Sequence, residues 1–228
     1  MHSNNHIKLD NPVWHSLSEA HRSLAVVYNG MKFYQPDYCP FGGFEKIAPD
    51  IPYTASYEKL ADNFFIVGEK PSLPQTLTLK KELVCLQMIA RKRIDVQYTE
   101  TIVALTDEHR SALYTLVDLV QPGYFKKKTA LLGNYSGIFK NGELVAVTGE
   151  RMKMNKYTEV SAVVTHPDHT GKGYARQLVA HTVNIIFDEN KTPYLHVLET
   201  NTGAIKLYEK LDFTTRRKIS FWNIVSNG

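Results

Sequence analysis

A glycine-containing turn is the stretch of this sequence best suited to chemistry: residues 166–175, HPDHTGKGYA, here called the glycine turn. An apolar run typical of a strand precedes it at 159–165, and a run typical of a helix begins at Tyr174. Glycine lets the backbone approach a ligand closely, and the start of a helix presents unpaired N–H groups with partial positive charge. The glycine turn therefore suits a pyrophosphate, although a strand-to-helix connection without a ligand uses similar residues.

Further strings surround the glycine turn in a fixed order. They are GERM at 149–152, EVSAVVT at 159–165, LHVL at 195–198, NTGA at 201–204 and LYEKLDF at 207–213. This order resembles the GNAT acyltransferase family, and within it the FR47-like branch. Two positions depart from the family pattern: Thr170 replaces the usual Gln or Arg, and Asp212 replaces a Gly. The resemblance identifies a fold and a co-substrate but says little about the acceptor.

Acetyl-CoA is the co-substrate that this resemblance implies, with no metal. The strand before the glycine turn would pair with the pantetheine arm through Val163, Val164 and Thr165. Asn201 stands where the family often places a residue that touches pantetheine, although it also suits a helix N-cap. The phosphates would meet the glycine turn at Thr170, Gly171, Lys172, Gly173, Tyr174 and Ala175.

Transfer of an acetyl group to an amine needs a base, because a primary amine is mostly ammonium at neutral pH. The resemblance points to Glu159, a strand position where histone acetyltransferases carry their base. Glu150 is a second candidate, or a ligand for the ammonium, and either Glu could instead be an exposed residue. An ordinary glutamate is a weak base, so burial must raise its pKa or water must relay the proton. Arg151 is expected to pair with one of them or with a substrate carboxylate.

Tyr208 is the third catalytic candidate. The resemblance places it beside the sulfur of the co-substrate, where a phenol can donate a hydrogen bond to the leaving thiolate. Tyr208 also continues an apolar helical stripe with Ala204 and Leu211, so a purely structural place in the core is the alternative.

Composition sets the broad class of the protein. Of 228 residues, 43% are hydrophobic and 22% are charged, as in ordinary globular proteins. The polar N-terminus and the lack of an apolar run of roughly 18 residues predict a cytoplasmic protein without a membrane partner. Cys39 and Cys85 are expected to be reduced structural thiols. The net charge is +4, with basic triplets at 91–93, 126–128 and 216–218. A nucleic-acid site needs a broader basic face with interleaved aromatic residues, so no nucleic acid is expected.

The first part of the chain, residues 1–97, reads as a mixed α/β segment that we expect to cover the acceptor site. Asn11 and Pro12 predict the start of a helix that continues to Gly30. An irregular loop is predicted over 32–53, followed by a short helix from Thr54 or Ser56. Strands are predicted at 64–67 and 77–89.

Residues 98–228 are predicted to form the catalytic domain. The pattern gives the order β-α-β-β-β-α-β-α-β, with Asn141 and Gly142 as the turn of a hairpin. The resemblance implies an α+β GNAT fold, a mostly antiparallel mixed sheet flanked by helices.

The leading hypothesis is an N-acetyltransferase that uses acetyl-CoA to modify a small-molecule or amino-acid-like amine, as a monomer or homodimer. A protein or peptide N-acetyltransferase is the nearer alternative and requires an open groove. A non-catalytic acyl-CoA-binding module is the alternative from another class, because binding the co-substrate needs no base.

Overall fold

The computed structural model describes residues 6–28, 30–45, 57 and 59–227. In this part of the chain the helices are Pro12–Ser16 (α1), Arg110–Val120 (α2), Tyr174–Asp188 (α3) and Thr202–Lys210 (α4). The strands are Ala25–Tyr28 (β1), Met31–Tyr34 (β2), Phe41–Phe44 (β3), Asn63–Val67 (β4), Leu77–Ala90 (β5), Val103–Ala104 (β6), Tyr135–Lys140 (β7), Glu143–Arg151 (β8), Tyr157–Thr165 (β9), Thr192–Leu198 (β10) and Phe213–Ser226 (β11).

All of these strands belong to one mixed sheet. Its order is β1-β2-β3-β4-β11-β5-β10-β9-β8-β7-β6. Most neighbours run antiparallel, whereas β9 and β10 are parallel, as are β3 and β4. The predicted α+β fold, a mostly antiparallel mixed sheet flanked by helices, is confirmed.

The second half of the chain follows the predicted order of elements, from β6 and α2 through to β11. The predicted hairpin joins β7 to β8, and both turn residues have left-handed backbones, with φ of 52° at Asn141 and 83° at Gly142. Asparagine and glycine adopt this conformation at low cost, which explains the strength of the sequence signal. The last strand of this order, β11, begins at Phe213 and ends at Ser226.

Two predictions for the first half are wrong. The predicted helix begins at Pro12 and is capped by Asn11, whose side chain accepts a hydrogen bond from the Trp14 N–H at 3.4 Å, but it ends at Ser16 instead of continuing to Gly30. Residues Ala25–Tyr28 form β1, where the β-branched pair of Val26 and Val27 fits an extended strand.

The predicted loop at 32–53 contains strands as well. Strand β2 begins just before this loop and continues into it, and β3 lies inside it. Phe33, Tyr34 and Phe41 are buried in the sheet, and Phe44 is half-buried. Bulky aromatic side chains favour strands once they can pack against neighbouring strands, and this tertiary packing decides the outcome. Residues 46–53 and the proposed caps Thr54 and Ser56 lie outside the described residues.

Strand β5 is confirmed and lies in the centre of the sheet, between β11 and β10. The predicted domain boundary near Tyr98 falls in the extended segment between β5 and β6. The segment before that boundary thus contributes a central strand to the sheet that carries the glycine turn.

Different parts of the chain cover the two faces of the sheet. Helices α3 and α4 cover one face, where Val183 and Tyr208 pack with Leu195 and Phe213. On the other face, Leu9 and Val13 from the N-terminal segment belong to a cluster with strand residues such as Tyr194. No helix in the described ranges is long and apolar enough to cross a membrane.

Candidate active site

The glycine turn has an open backbone. Gly171 and Gly173 both have φ of 76°, and Gly173 is the N-cap of α3. A Cβ added at either glycine would meet no heavy atom within 4 Å. Thr170 and Lys172 are exposed beside them, whereas Tyr174 is buried and stacks on the ring of His169. The first turn of a helix has N–H groups without intrahelical partners, so this geometry fits a phosphate group.

Strands β9 and β10 separate next to the glycine turn. Their parallel pairing runs from Tyr157 to Glu159 on β9 and ends at the pair of Tyr194 with Glu159. Beyond that point β9 stays paired with β8 on its other side, through Val164 and Thr165. Ala162 has φ of 49° and lies at an irregularity in that pairing. Among the described residues, 160–165 of β9 have no strand partner on the β10 side. An extended ligand could pair with this edge, and the contacts expected for Val163, Val164 and Thr165 stay a prediction.

Asn201 caps a helix, which is one of the two roles expected for it. It is the N-cap of α4, and its side-chain oxygen accepts a hydrogen bond from the Ala204 N–H at 3.1 Å. Its contact with pantetheine stays a prediction.

Glu159 and Arg151 form a buried ion pair where β9 and β10 separate. The Arg151 Nε donates to Glu159 Oε2 at 2.8 Å, and its Nη2 donates to Oε1 at 3.0 Å. The Glu159 side chain is 1% exposed and that of Arg151 is 21% exposed. The guanidinium also lies 4.7 Å from the centre of the Phe41 ring. Of the pairings considered for Arg151, with either Glu or with a substrate carboxylate, the one with Glu159 is therefore present.

His196 is a member of the site that the sequence analysis missed. It lies on β10, its side chain is 2% exposed, and its Nδ1 is 2.8 Å from Glu159 Oε1. Its Nε2 is 3.0 Å from the side-chain nitrogen of Gln87 on β5. The sequence does contain a signal for this contact: His196 and Gln87 are each a polar residue inside an apolar run predicted to be a strand. A polar side chain buried in a strand needs a partner.

Paired charges set the charge state of Glu159. Burial raises the pKa of Glu159, but the Arg151 charge and the hydrogen bonds from His196 and Arg151 outweigh it and lower the pKa from 4.5 to about 2. Of the two routes considered for a glutamate base, a pKa raised by burial is not found in this arrangement because paired charges dominate over desolvation, and the relay through water stays a prediction. Glu159 is an anion at neutral pH, and in this arrangement it is a weak base.

Glu150 is buried on the opposite face of the sheet. It pairs with Val160 on β9, whereas Arg151 pairs with Glu159, and adjacent strand residues point to opposite faces. Its Oε2 accepts hydrogen bonds from Lys153 Nζ at 2.8 Å and from the Asn134 N–H at 2.9 Å. Its Oε1 is buried without a hydrogen-bond partner among the described residues. The alternative that either Glu is an exposed residue is wrong.

Tyr208 lies on α4, and its side chain is buried in the core. It is 7% exposed, shares a cluster with Val160 and packs 5.8 Å from the centre of the Phe213 ring. Burial raises the pKa of Tyr208 to about 12, so its hydroxyl keeps its proton at neutral pH. Tyr208 and Glu159 lie on opposite faces of the sheet and are not in contact.

The N-terminal segment covers the face that bears Glu159. The Leu9 carbonyl accepts a hydrogen bond from Gln87, and Ser16 donates one to the Lys153 carbonyl at 2.9 Å. Phe41 lies against Arg151. Both cysteines, Cys39 and Cys85, are buried in the same region with pKa values raised to about 12 by burial, so they are protonated thiols at neutral pH.

Comparisons with known proteins agree with this geometry. The family model described as FR47-like protein matches residues 135–222, which include the glycine turn and both separating strands. The crystal structure of a protein assigned to the GNAT acetyltransferase family from Novosphingobium aromaticivorans is 30% identical, with a TM-score of 0.87, and the match covers 96% of this chain and 99% of that chain.

More distant structures share the fold alone. A GCN5-related N-acetyltransferase from Kribbella flavida is 15% identical with a TM-score of 0.59, covering 95% of this chain and 94% of that one. A GCN5-related N-acetyltransferase-like protein from Streptococcus suis is 13% identical with a TM-score of 0.61, and the match covers 95% of this chain and 92% of that one. A search of curated protein sequences returned no match. The match to the Novosphingobium protein extends over nearly the whole of both chains, and the chain therefore belongs to the GNAT family of acetyltransferases, with an FR47-like domain.

Proposed function

We propose that this protein is an N-acetyltransferase that transfers the acetyl group of acetyl-CoA directly to a primary amine of a small, amino-acid-like acceptor. Family membership supports acetyl transfer from acetyl-CoA. The observation that carries the finer proposal is the buried pair of Arg151 and Glu159 at the point where β9 and β10 separate.

Acetyl-CoA would be held by backbone groups. The N–H groups of residues 170–175 would bind its phosphates, and the open space beside Gly171 and Gly173 supports this placement. Residues Val163, Val164 and Thr165 would pair with the pantetheine arm along the separated edge of β9. Asn201 would remain a cap and contact the arm from the start of α4.

The two charges of the Arg151–Glu159 pair complement an amino acid. An amino-acid zwitterion carries a carboxylate, which a guanidinium binds through two hydrogen bonds, and an ammonium, which a carboxylate binds. Arg151 is the more exposed of the pair, and a substrate carboxylate would therefore compete for it. The Arg151–Glu159 pair would then be replaced by two ion pairs, Arg151 with the substrate carboxylate and Glu159 with the substrate ammonium. Every charge would therefore keep a partner of opposite sign.

The same exchange would make Glu159 a better base. Arg151 is the main cause that lowers the pKa of Glu159. Once the substrate carboxylate occupies Arg151, burial would raise the pKa of Glu159 and allow it to take the proton of the ammonium. Glu150 is the second candidate for this role, because one of its oxygens is buried without a partner among the described residues.

Tyr208 would stabilise the leaving thiolate. Its pKa, raised to about 12, makes it a hydrogen-bond donor that does not lose its proton at neutral pH. A hydrogen bond from Tyr208 to the thiolate therefore fits better than full proton transfer, because an ordinary thiol has a pKa of about 8.5.

A small acceptor fits better than a protein. The N-terminal segment packs over the face that bears Glu159, through Leu9, Ser16 and Phe41. A folded protein would need an open groove on this face. We also propose that the protein is cytoplasmic.

A set of three acceptors with one side chain tests the proposal: an amino acid, its amide and the corresponding amine without the carboxylate. We expect kcat/KM for the amino acid to exceed the other two by about 10- to 100-fold, the usual range for a hydrogen-bonded charge. Equal values for all three compounds would contradict recognition by Arg151, and a preference for peptides would favour a protein acetyltransferase.

A further inference from the structure

A row of polar side chains crosses five neighbouring strands on the face covered by the N-terminal segment. Its members are Arg216 of β11, Gln87 of β5, His196 of β10, Glu159 of β9 and Arg151 of β8, here called the polar row. Each member is within hydrogen-bond distance of the next. The contact between Gln87 and His196 joins two nitrogen atoms, so its donor must be deduced from the surrounding groups.

The surrounding groups fix the orientation of the Gln87 amide. Its oxygen is 2.9 Å from Arg216 Nη1, and its nitrogen is 2.7 Å from the Leu9 carbonyl oxygen. A guanidinium can only donate and a carbonyl can only accept, so rotating the amide by 180° would break both hydrogen bonds. The second hydrogen of the Gln87 nitrogen therefore points at His196 Nε2.

This orientation decides the form of His196. Its Nε2 accepts a hydrogen bond from Gln87 and therefore carries no proton. The imidazole is then neutral, with its hydrogen on Nδ1, from which it donates to Glu159 Oε1 at 2.8 Å. The interaction of His196 with Glu159 is thus a hydrogen bond from a neutral ring rather than an ion pair.

A neutral donor suits the exchange proposed for Arg151. If Arg151 turns to a substrate carboxylate, His196 still holds Oε1, and Oε2 of Glu159 becomes free. A cationic ring would instead keep Glu159 fully paired and oppose its protonation. Nε2 is already occupied by Gln87, so a proton accepted by Glu159 cannot pass to His196.

We propose that His196 is a positioning residue, which Gln87 holds in the neutral Nδ1–H form so that it orients Glu159 during deprotonation of the acceptor. This inference rests on the proposed function. It adds to that function a residue that contacts neither substrate and acts through Glu159.

Two substitutions of His196 separate its two hydrogen bonds. The side-chain amide of His196→Asn lies where Nδ1 was and can still donate to Glu159, whereas that of His196→Gln reaches the position of Nε2 and serves Gln87. Both variants lose the ring contact with Phe221, whose centre lies 5.2 Å away, so their melting temperatures should fall together. We expect kcat to fall by about 10- to 100-fold in His196→Gln and to be largely restored in His196→Asn, with acetyl-CoA affinity unchanged in both. Equal kcat in the two variants would overturn the positioning role.

Nitrogen NMR of the unmodified protein tests the tautomer without an activity assay. The chain has nine histidines, and the signals lost in His196→Asn assign the ring. We expect Nδ1 protonated and Nε2 unprotonated at neutral pH, and the opposite tautomer or a doubly protonated ring would overturn the inference. If the unmodified protein acetylates no amine, the proposed function fails together with the positioning role of His196, whereas the spectrum still decides the tautomer.

Discussion

Replacing Arg151 by Met should destabilise the protein by about 3 kcal/mol at neutral pH. The pKa of Glu159 is lowered from 4.5 to about 2, which corresponds to ~3 kcal/mol at about 1.4 kcal/mol for each pKa unit. Most of this stabilisation comes from Arg151, and removing one partner of a buried ion pair costs about 3–5 kcal/mol. The Met side chain keeps apolar contact with Phe41, so the loss reports mainly on the charge.

The effect should depend on pH with a definite sign. The pKa of Glu159 is lower in the folded protein than its ordinary value of 4.5, so the pair contributes fully above that pH and loses its contribution as the pH falls toward 2. In Arg151→Met the main cause of the lowered pKa is gone. The difference in stability between the two proteins should therefore shrink as the pH falls.

Urea unfolding followed by the fluorescence of Trp14 and Trp222, at pH about 7, 5 and 3, measures this difference. Lys92→Met is the matched control, because Lys92 pairs with Asp212 at 3.0 Å with both side chains more than half exposed. That control should lose less than about 1 kcal/mol. Equal losses in the two variants, or a difference that does not change with pH, would refute the importance of the buried pair.

Three further predictions concern binding and turnover. Gly173→Glu should abolish acetyl-CoA binding measured by calorimetry. Gly30 also has a left-handed backbone (φ of 84°) with open space beside it, so Gly30→Glu is the control and should bind acetyl-CoA normally. Equal affinities in the two variants would place the phosphates elsewhere. Glu159→Gln should lower kcat by about 100-fold or more with acetyl-CoA affinity nearly intact, and a larger loss in Glu150→Gln would transfer the base role to Glu150. Tyr208→Phe should lower kcat with little change in melting temperature or acetyl-CoA affinity, and unchanged kcat when chemistry limits turnover would return Tyr208 to a structural role.

Local signals in the sequence predict much of the fold after residue 98. The Asn141–Gly142 hairpin and the helix that begins at Tyr174 depend on backbone preferences of neighbouring residues, which the sequence displays directly. The position of β5 between β10 and β11 depends on pairing with residues more than a hundred positions away, and periodicity contains no information about such partners. Strands β2 and β3 pair with strands that are near them in the chain, and the prediction of a loop there has a different cause: proline and glycine, which are frequent in this stretch, are typical of loops.

The candidate site likewise has a part that local sequence signals predict and a part that depends on residues far away in the chain. Glu159 follows from its motif, but the charge state of its carboxylate depends on Arg151, His196 and, through His196, on Gln87. His196 lies 37 residues away from Glu159 along the chain, and 109 residues separate it from Gln87. Desolvation alone would have raised the pKa of Glu159, so a prediction without these partners gives the wrong direction.

Turnover of acetyl-CoA with a panel of amino acids, amines and peptides is the most direct test of acetyl transfer by this protein. Free thiol and the mass of the acetylated product are measured in the same reactions, with calorimetry to measure acetyl-CoA binding. We expect thiol and acetylated product in equal amounts with amino-acid acceptors, and loss of both in Gly173→Glu. Tight binding of acetyl-CoA without product from any acceptor would contradict catalysis and identify an acyl-CoA-binding module.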